Sequence, residues 1–125
     1  MEKNIDLKYE VEFIGEICIE NIDICALLAN LLDNAIEACE KVKKKKRWVC
    51  LKIKRRNEML FIWVENSMAS KVIEQDKFFQ TSKRKKNLHG LGMKSIDNVI
   101  QKYDGHKEYE IQKDKFQIYI SIPID

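Results

Sequence analysis

Apolar and polar residues alternate along Leu7-Lys8-Tyr9-Glu10-Val11-Glu12-Phe13, the two-residue period of a half-buried strand. From Ile24 to Val42 the apolar spacing becomes helical, with Asp23 placed to cap the helix start. Trp48–Lys54 and Leu60–Glu65 read as strands, and the polar Arg55-Arg56-Asn57-Glu58 between them reads as a hairpin turn. Met68 to Leu88 is polar and irregular, broken by Phe78-Phe79 and the basic run Lys83–Lys86. A second helix is predicted from Gly92 to Tyr103, with Met93, Ile96, Val99, Ile100 and Tyr103 on one side. Asp104-Gly105 should stop it, glycine taking the left-handed backbone. Two closing strands flank Lys113-Asp114. Phe116, Ile118, Ile120 and Ile122 alternate in the last, and Pro123 lies at its end, where a missing ladder donor matters least.

The order is strand, helix, hairpin, long loop, helix, hairpin. Hairpins demand antiparallel neighbours, so the predicted class is α+β: a two-layer sandwich with a mixed, mostly antiparallel sheet and helices on one face. No repeat or linker divides the chain, and residues 1–125 read as one domain.

Composition narrows the function. With 45% apolar and 34% charged residues the 125-residue chain is globular in type, and a net charge of +3 gives no footprint for nucleic acid. No apolar run approaches the roughly 20 residues that cross a bilayer, and Met1–Ile5 does not open a signal peptide. Cys18, Cys25, Cys39 and Cys50 form no CxxC pair, so reduced thiols are expected rather than a disulfide framework or zinc site.

The first helix carries unusual polar residues. On a wheel of about 100° per residue, Leu28, Leu31, Leu32, Ala35, Ile36, Cys39 and Val42 cover one broad side. Asn30, Asn34 and Glu37 cluster within about 60° on the other, with Asp33 at their edge. A solvated face is the plain alternative. Yet asparagine competes for backbone hydrogen bonds and costs a few tenths of a kcal/mol mid-helix relative to lysine or glutamate. A carboxamide oxygen is a neutral, hard ligand, which suits Mg²⁺ that arrives already holding phosphate oxygens.

His89-Gly90-Leu91-Gly92-Met93 stands between the irregular loop and the second helix. Helix-start N–H groups attract anions, and glycine lets phosphate approach the main chain. Neither the P-loop nor the Rossmann glycine pattern is present. Lys83, Arg84, Lys85 and Lys86 either screen phosphate charge or form a solvated loop. His89 is read equally as a hydrogen-bonding anchor or a base. Lys43–Arg47 should mark the end of the first helix, where positive charge suits the dipole.

Together these segments resemble the GHKL ATPase superfamily, whose Bergerat fold is shared by gyrase B, heat-shock chaperone, mismatch-repair and histidine kinase families. Asn30-Leu31-Leu32-Asp33-Asn34-Ala35 is similar to the N-box, and His89-Gly90-Leu91-Gly92-Met93-Lys94-Ser95-Ile96 to the second glycine box. The resemblance is strongest to peptide-pheromone quorum-sensing kinases, through "NLLDNAIEA" and Thr81-Ser82-Lys83 in the lid. It implies the ATP-binding catalytic domain of a two-component sensor histidine kinase, using ATP and Mg²⁺. Asn34 would coordinate Mg²⁺, and Asn30 would contact the phosphates or the metal's waters. The Gly90–Met93 backbone would wrap the triphosphate beneath a lid spanning about Phe78–His89. Its implied partners are the histidine-bearing dimerisation domain of its own full-length protein, as a homodimer, and a response regulator. Its implied place is the cytoplasmic side of a membrane-anchored receptor, and a chain that opens on a strand is expected to be a piece of a longer protein.

Two departures qualify the resemblance. Hydrolysing members and anti-sigma serine kinases carry a glutamate base four residues before the metal asparagine; here Asn30 stands there and takes no proton from water. That favours transfer to an imidazole, already nucleophilic when neutral. The Asp-x-Gly-x-Gly box that reads adenine is missing, and Val64-Glu65-Asn66-Ser67 takes its place. Asn66 still offers an oxygen to the adenine amino group through a weaker, uncharged bond. A GHKL serine kinase or ATPase, and a degenerate domain that binds only partners, are the alternatives.

Overall fold

The computed structural model describes residues 4–12, 17–69 and 91–124. Among them are five strands, two α-helices and a short 3-10 helix at Lys44–Lys46: β1 (Asp6–Glu12), α1 (Asn21–Cys39), β2 (Trp48–Arg56), β3 (Met59–Ser67), α2 (Leu91–Lys102), β4 (His106–Gln112) and β5 (Lys115–Pro123). The strands form one sheet in the order β1-β2-β3-β5-β4, with β1 parallel to β2 and every other pair antiparallel. Both helices pack on the same face. This is the expected α+β two-layer sandwich.

Alternation along the three central strands builds the core. Val49, Leu51 and Ile53 of β2 point to the helices, as do Leu60, Ile62 and Val64 of β3 and Phe116, Ile118, Ile120 and Ile122 of β5. Leu27, Leu31, Ala35, Ala38 and Cys39 of α1 close over them, joined by Ile96, Val99 and Ile100 of α2. Asn57 holds the two-residue turn between β2 and β3 at φ 56°, a left-handed conformation that asparagine tolerates.

The structure corrects four expectations. Helix α1 begins at Asn21, not Ile24, and its N-cap is Glu20, whose side chain makes no capping bond. Asp23 lies inside the first turn and is used elsewhere, as described below. The helix also ends at Cys39, earlier than Val42. The carbonyl groups just past its end are met by a side chain from the basic run: Arg47 Nη2 donates to Glu40 O at 2.6 Å and Nε to Val42 O at 2.8 Å.

Strand β1 is not half-buried. Leu7, Tyr9 and Val11 share the helix side with Val49, Leu51 and Ile53, yet they are 54%, 72% and 54% exposed. Helix α1 packs chiefly on β3 and β2, so the edge strand extends past its cover. The alternation records the pleat, not the burial.

The stop after α2 works differently from its expected form. Asp104, not Gly105, takes the left-handed backbone, at φ 57°. Gly105 N–H donates to Ile100 O at 2.7 Å and Asp104 N–H to Gln101 O at 3.3 Å, the paired bonds of a Schellman motif. Gly105 is needed for space, since a Cβ there would stand 2.9 Å from Ser121 O and 3.0 Å from Ile122 Cγ1.

The apolar stripe of α1 is also turned from its expected position. Its centre is Leu27, Leu31, Ala35 and Ala38, while Leu28 and Leu32 are only partly buried. Asn30, Asn34 and Glu37 therefore occupy a half-buried flank rather than the side opposite the core.

Candidate functional site

Helix α1 carries the two asparagines because Leu27, Leu31 and Ala38 commit one stripe to the sheet and leave the flank free for polar work. Asn30 Nδ2 donates to Ala26 O at 2.9 Å, one turn back in its own helix. That bond leaves Oδ1 as the atom Asn30 can offer. Asn34 is half-buried and makes no hydrogen bond to any described residue. A hard, neutral oxygen without a partner among the described residues fits one ligand position of a magnesium ion whose remaining ligands are phosphate and water. Among the described residues no three His, Cys, Asp or Glu side chains come together as a metal site.

Strand β3 delivers the third asparagine. Its pleat sends Glu65 outward, to Lys115 at 3.6 Å, and Asn66 inward beneath the helices, where it is 1% exposed. Asn66 Nδ2 donates to Ser67 O at 2.9 Å. Ser67 is a junction that periodicity could not reveal. Its Oγ accepts Trp48 N–H at 3.1 Å and lies 3.2 Å from Cys39 Sγ, tying the ends of α1 and β3 to the start of β2. A cleft of about 700 Å³ opens beside this junction, lined by Lys41, Lys46, Trp48, Ser67, Met68 and Asp114 among others.

Helix α2 brings the glycine segment. Leu91 and Gly92 are its first residues, and half-buried Met93 takes a contact from Lys107 Nζ at 3.6 Å. Its opening N–H groups have no carbonyl within the helix to meet. Thr81, Ser82, Lys83, His89 and Gly90, and the expected lid over Phe78–His89, lie outside the described residues.

The two helices are tied together by residues far apart in sequence. Asp23 Oδ2 accepts Lys102 Nζ at 2.8 Å and the hydroxyl of Tyr103, whose oxygen in turn accepts Glu20 N–H at 3.1 Å. These bonds hold the Asp23 carboxyl below its ordinary value, Lys102 first and Tyr103 second, and they raise Lys102. On the helical wheel Asp23, Asn30 and Asn34 fall within about 40° of one another. The end of α2 is thus fastened to the flank of α1 that carries both asparagines.

The fold has many solved relatives. The catalytic domain of histidine kinase ThkA superposes with a TM-score of 0.70 at 20% identity, covering 98% of this chain and 80% of that one. Histidine kinase AdeS of Acinetobacter baumannii gives 0.70 at 17% identity, over 99% of this chain and 56% of that one. Full-length ShkA, solved in complex with AMPPNP, gives 0.73 at 17% identity, over 98% of this chain and 26% of that one. A comparison of the sequence with curated proteins found no match. Residues 19–123 match the GHKL domain, and with its asparagine helix, its glycine helix and the sheet beneath them the chain belongs to that family.

Proposed function

We propose that this chain is the ATP-binding catalytic domain of a two-component sensor histidine kinase. The observation that carries the reading is the helix tie. From Asp23 to Asn34 and from Lys102 back to Leu91 the distances along the helices are the same, about 17 Å at 1.5 Å per residue. An α2 that starts from the tie and lies antiparallel to α1 brings its first turn level with Asn34. A neutral metal ligand and a row of N–H groups without a carbonyl in their own helix then converge, the pairing that a magnesium-bound triphosphate requires.

In this reading ATP, bound with Mg²⁺, supplies the γ-phosphoryl group to a neutral histidine imidazole on a dimerisation domain outside this chain. Asn34 Oδ1 would hold the metal, and Asn30 Oδ1 would orient a phosphate oxygen or a metal-bound water. The backbone N–H groups of Leu91, Gly92 and Met93 would receive the phosphate oxygens, aided by the positive end of the helix dipole. Asn66, at the end of β3 beside the open cleft, would meet the adenine amino group. Thr81, Ser82, Lys83, His89 and Gly90 complete the assignment in the lid and glycine loop. With an amide at position 30, no group at that place draws a proton from water. The flank therefore suits an acceptor that is already a nucleophile. A homodimer through the dimerisation domain, a response regulator downstream and a cytoplasmic position beneath a membrane-anchored, peptide-pheromone type of receptor belong to the same proposal.

Titration with a fluorescent ATP analogue, with and without Mg²⁺, tests the binding step. Saturable binding that strengthens with Mg²⁺ supports the reading. Labelling from γ-labelled ATP on a supplied dimerisation domain tests the transfer. Binding without labelling would keep the nucleotide site and remove the kinase, and absence of both would leave a domain that binds only partners.

A further inference from the structure

The sheet face turned away from both helices carries an ordered row. Register places Glu10 beside Lys52, Lys52 beside Trp63, Trp63 beside Tyr119 and Tyr119 beside Glu108. At its centre the Trp63 and Tyr119 rings lie 4.8 Å apart, and Lys52 Nζ stands 5.1 Å from the Trp63 ring. Phe61 adds a third aromatic wall to a shallow groove of about 250 Å³. Trp63 Nε1 is buried and has no hydrogen bond among the described residues.

The neighbouring charges are mostly paired: Lys54 with Glu10 at 3.1 Å, and Lys115 with Glu65 at 3.6 Å. Two are held differently. Among the described residues Lys52 forms no salt bridge and rests on the indole. Among the described residues Glu108 meets only His106, in a pair whose side chains are 69% and 72% exposed. The row thus reads cation, aromatic, aromatic, anion across β2, β3, β5 and β4.

We propose that this face docks a second copy of the chain about a twofold axis running along the strands between β3 and β5. Such a rotation reverses the strand order, so β2 faces β4 of the second copy and β3 faces its β5. Lys52 then meets Glu108 of the second copy, and Trp63 packs on its Tyr119. Symmetry makes each contact twice. Two twisted sheets pack face to face within about 30° and about 10 Å apart, which suits this stacking. With the axis between β3 and β5 only β2, β3, β5 and β4 overlap, and at about 4.8 Å between strands and about 3.3 Å per residue they give roughly 500 Å² per copy. The total of about 1,000 Å² is below the standard size of a specific interface, the range of weak and transient association. The face lies on the opposite side of the sheet from the asparagines, so the dimer forms with or without nucleotide.

Sedimentation equilibrium of this chain from about 20 to about 500 µM reads the association directly at a range suited to such an interface. The parent should pass from monomer to dimer across that range. Lys52→Glu and Glu108→Lys should each weaken association about tenfold or more, because like charges then oppose one another at two symmetric places. The double variant should restore it. Within one copy Lys52 and Glu108 are three strand spacings apart, about 14 Å, too far to pair. Restoration therefore reports contact between copies, and matching circular dichroism shows that the variants fold. A parent that stays monomeric at the highest concentration would overturn the proposal, as would single variants that associate like the parent or a double variant that fails to recover.

Discussion

The hydroxyl of Tyr103 donates to the carboxylate of Asp23, 80 positions earlier in the chain, and so fastens the last turn of the glycine helix to the first turn of the asparagine helix. Lys102 shares the same carboxylate oxygen at 2.8 Å. The spacing between the two halves of the proposed site is therefore set by contacts at the far ends of their helices.

The first prediction concerns pH. Asp23 is held below its ordinary 3.8, chiefly by Lys102 and then by Tyr103. A depressed carboxyl stabilises the fold above its unfolded value and loses that contribution as pH falls through the folded one. Lys102, raised above 10.5 by Asp23, contributes below that value and is lost as pH climbs through its folded one. Asp23→Asn should therefore melt at a lower temperature than the parent at about pH 7, and the gap should close at about pH 2. Equal gaps at both pH values would mean that the carboxylate charge plays no part in the tie.

Much of this architecture was legible because the central strands follow the simplest rule available. In β2, β3 and β5 one face meets helices and the other does not, so residues such as Leu60, Ile62 and Val64 alternate with Phe61 and Trp63. Strand β1 shows the same alternation but lies beyond the cover of α1, and no local pattern records where a cover ends. Asp23 does not mark the start of α1, because it has the chemistry of a cap but spends it on Lys102 and Tyr103, distant in sequence. For the site, helical spacing alone put Asn30 and Asn34 on one flank. That Asn66 is buried and wired to Ser67 depends on three segments meeting, which no local spacing encodes.

The stop after α2 gives a second prediction. Asp104 adopts φ 57° at the position where glycine has the advantage. Asp104→Gly should be neutral to stabilising, by up to about 1 kcal/mol. Gly105→Ala should destabilise by about 1–3 kcal/mol, because its Cβ would press against the backbone oxygen of Ser121 rather than a yielding side chain. Urea melts of the two variants check both signs. A harmless Gly105→Ala would show that β5 gives way.

A third prediction follows from the acceptor chemistry. His106 lies exposed on edge strand β4, bonded to Glu108, rather than on a helix. Incubated with labelled ATP, the chain alone should acquire no acid-labile phosphate. With an amide at position 30 it should also hydrolyse ATP far more slowly than the roughly 10 per second typical of enzymes. Phosphate found on His106, or steady turnover near that rate, would contradict the reading of Asn30 and of an acceptor outside the chain.

The last prediction separates a metal ligand from a structural asparagine at position 34. Asn34→Ala should leave the helix intact, since alanine is the better helix former and the apolar stripe runs through Leu27, Leu31, Ala35 and Ala38 instead. The lost side chain has no hydrogen bond to a described residue, so the unliganded stability should stay within about 1 kcal/mol of the parent. Binding should respond quite differently. Without the carboxamide oxygen the metal loses its protein ligand and the triphosphate its bridge to α1. Affinity for Mg-ATP should then fall about tenfold or more, roughly 1.4 kcal/mol. In EDTA no metal spans the gap, and the same substitution should change nucleotide affinity much less. Calorimetric titrations under the two conditions make the comparison. Equal losses with and without Mg²⁺ would return Asn34 to a purely structural role and leave the metal to be held by other groups.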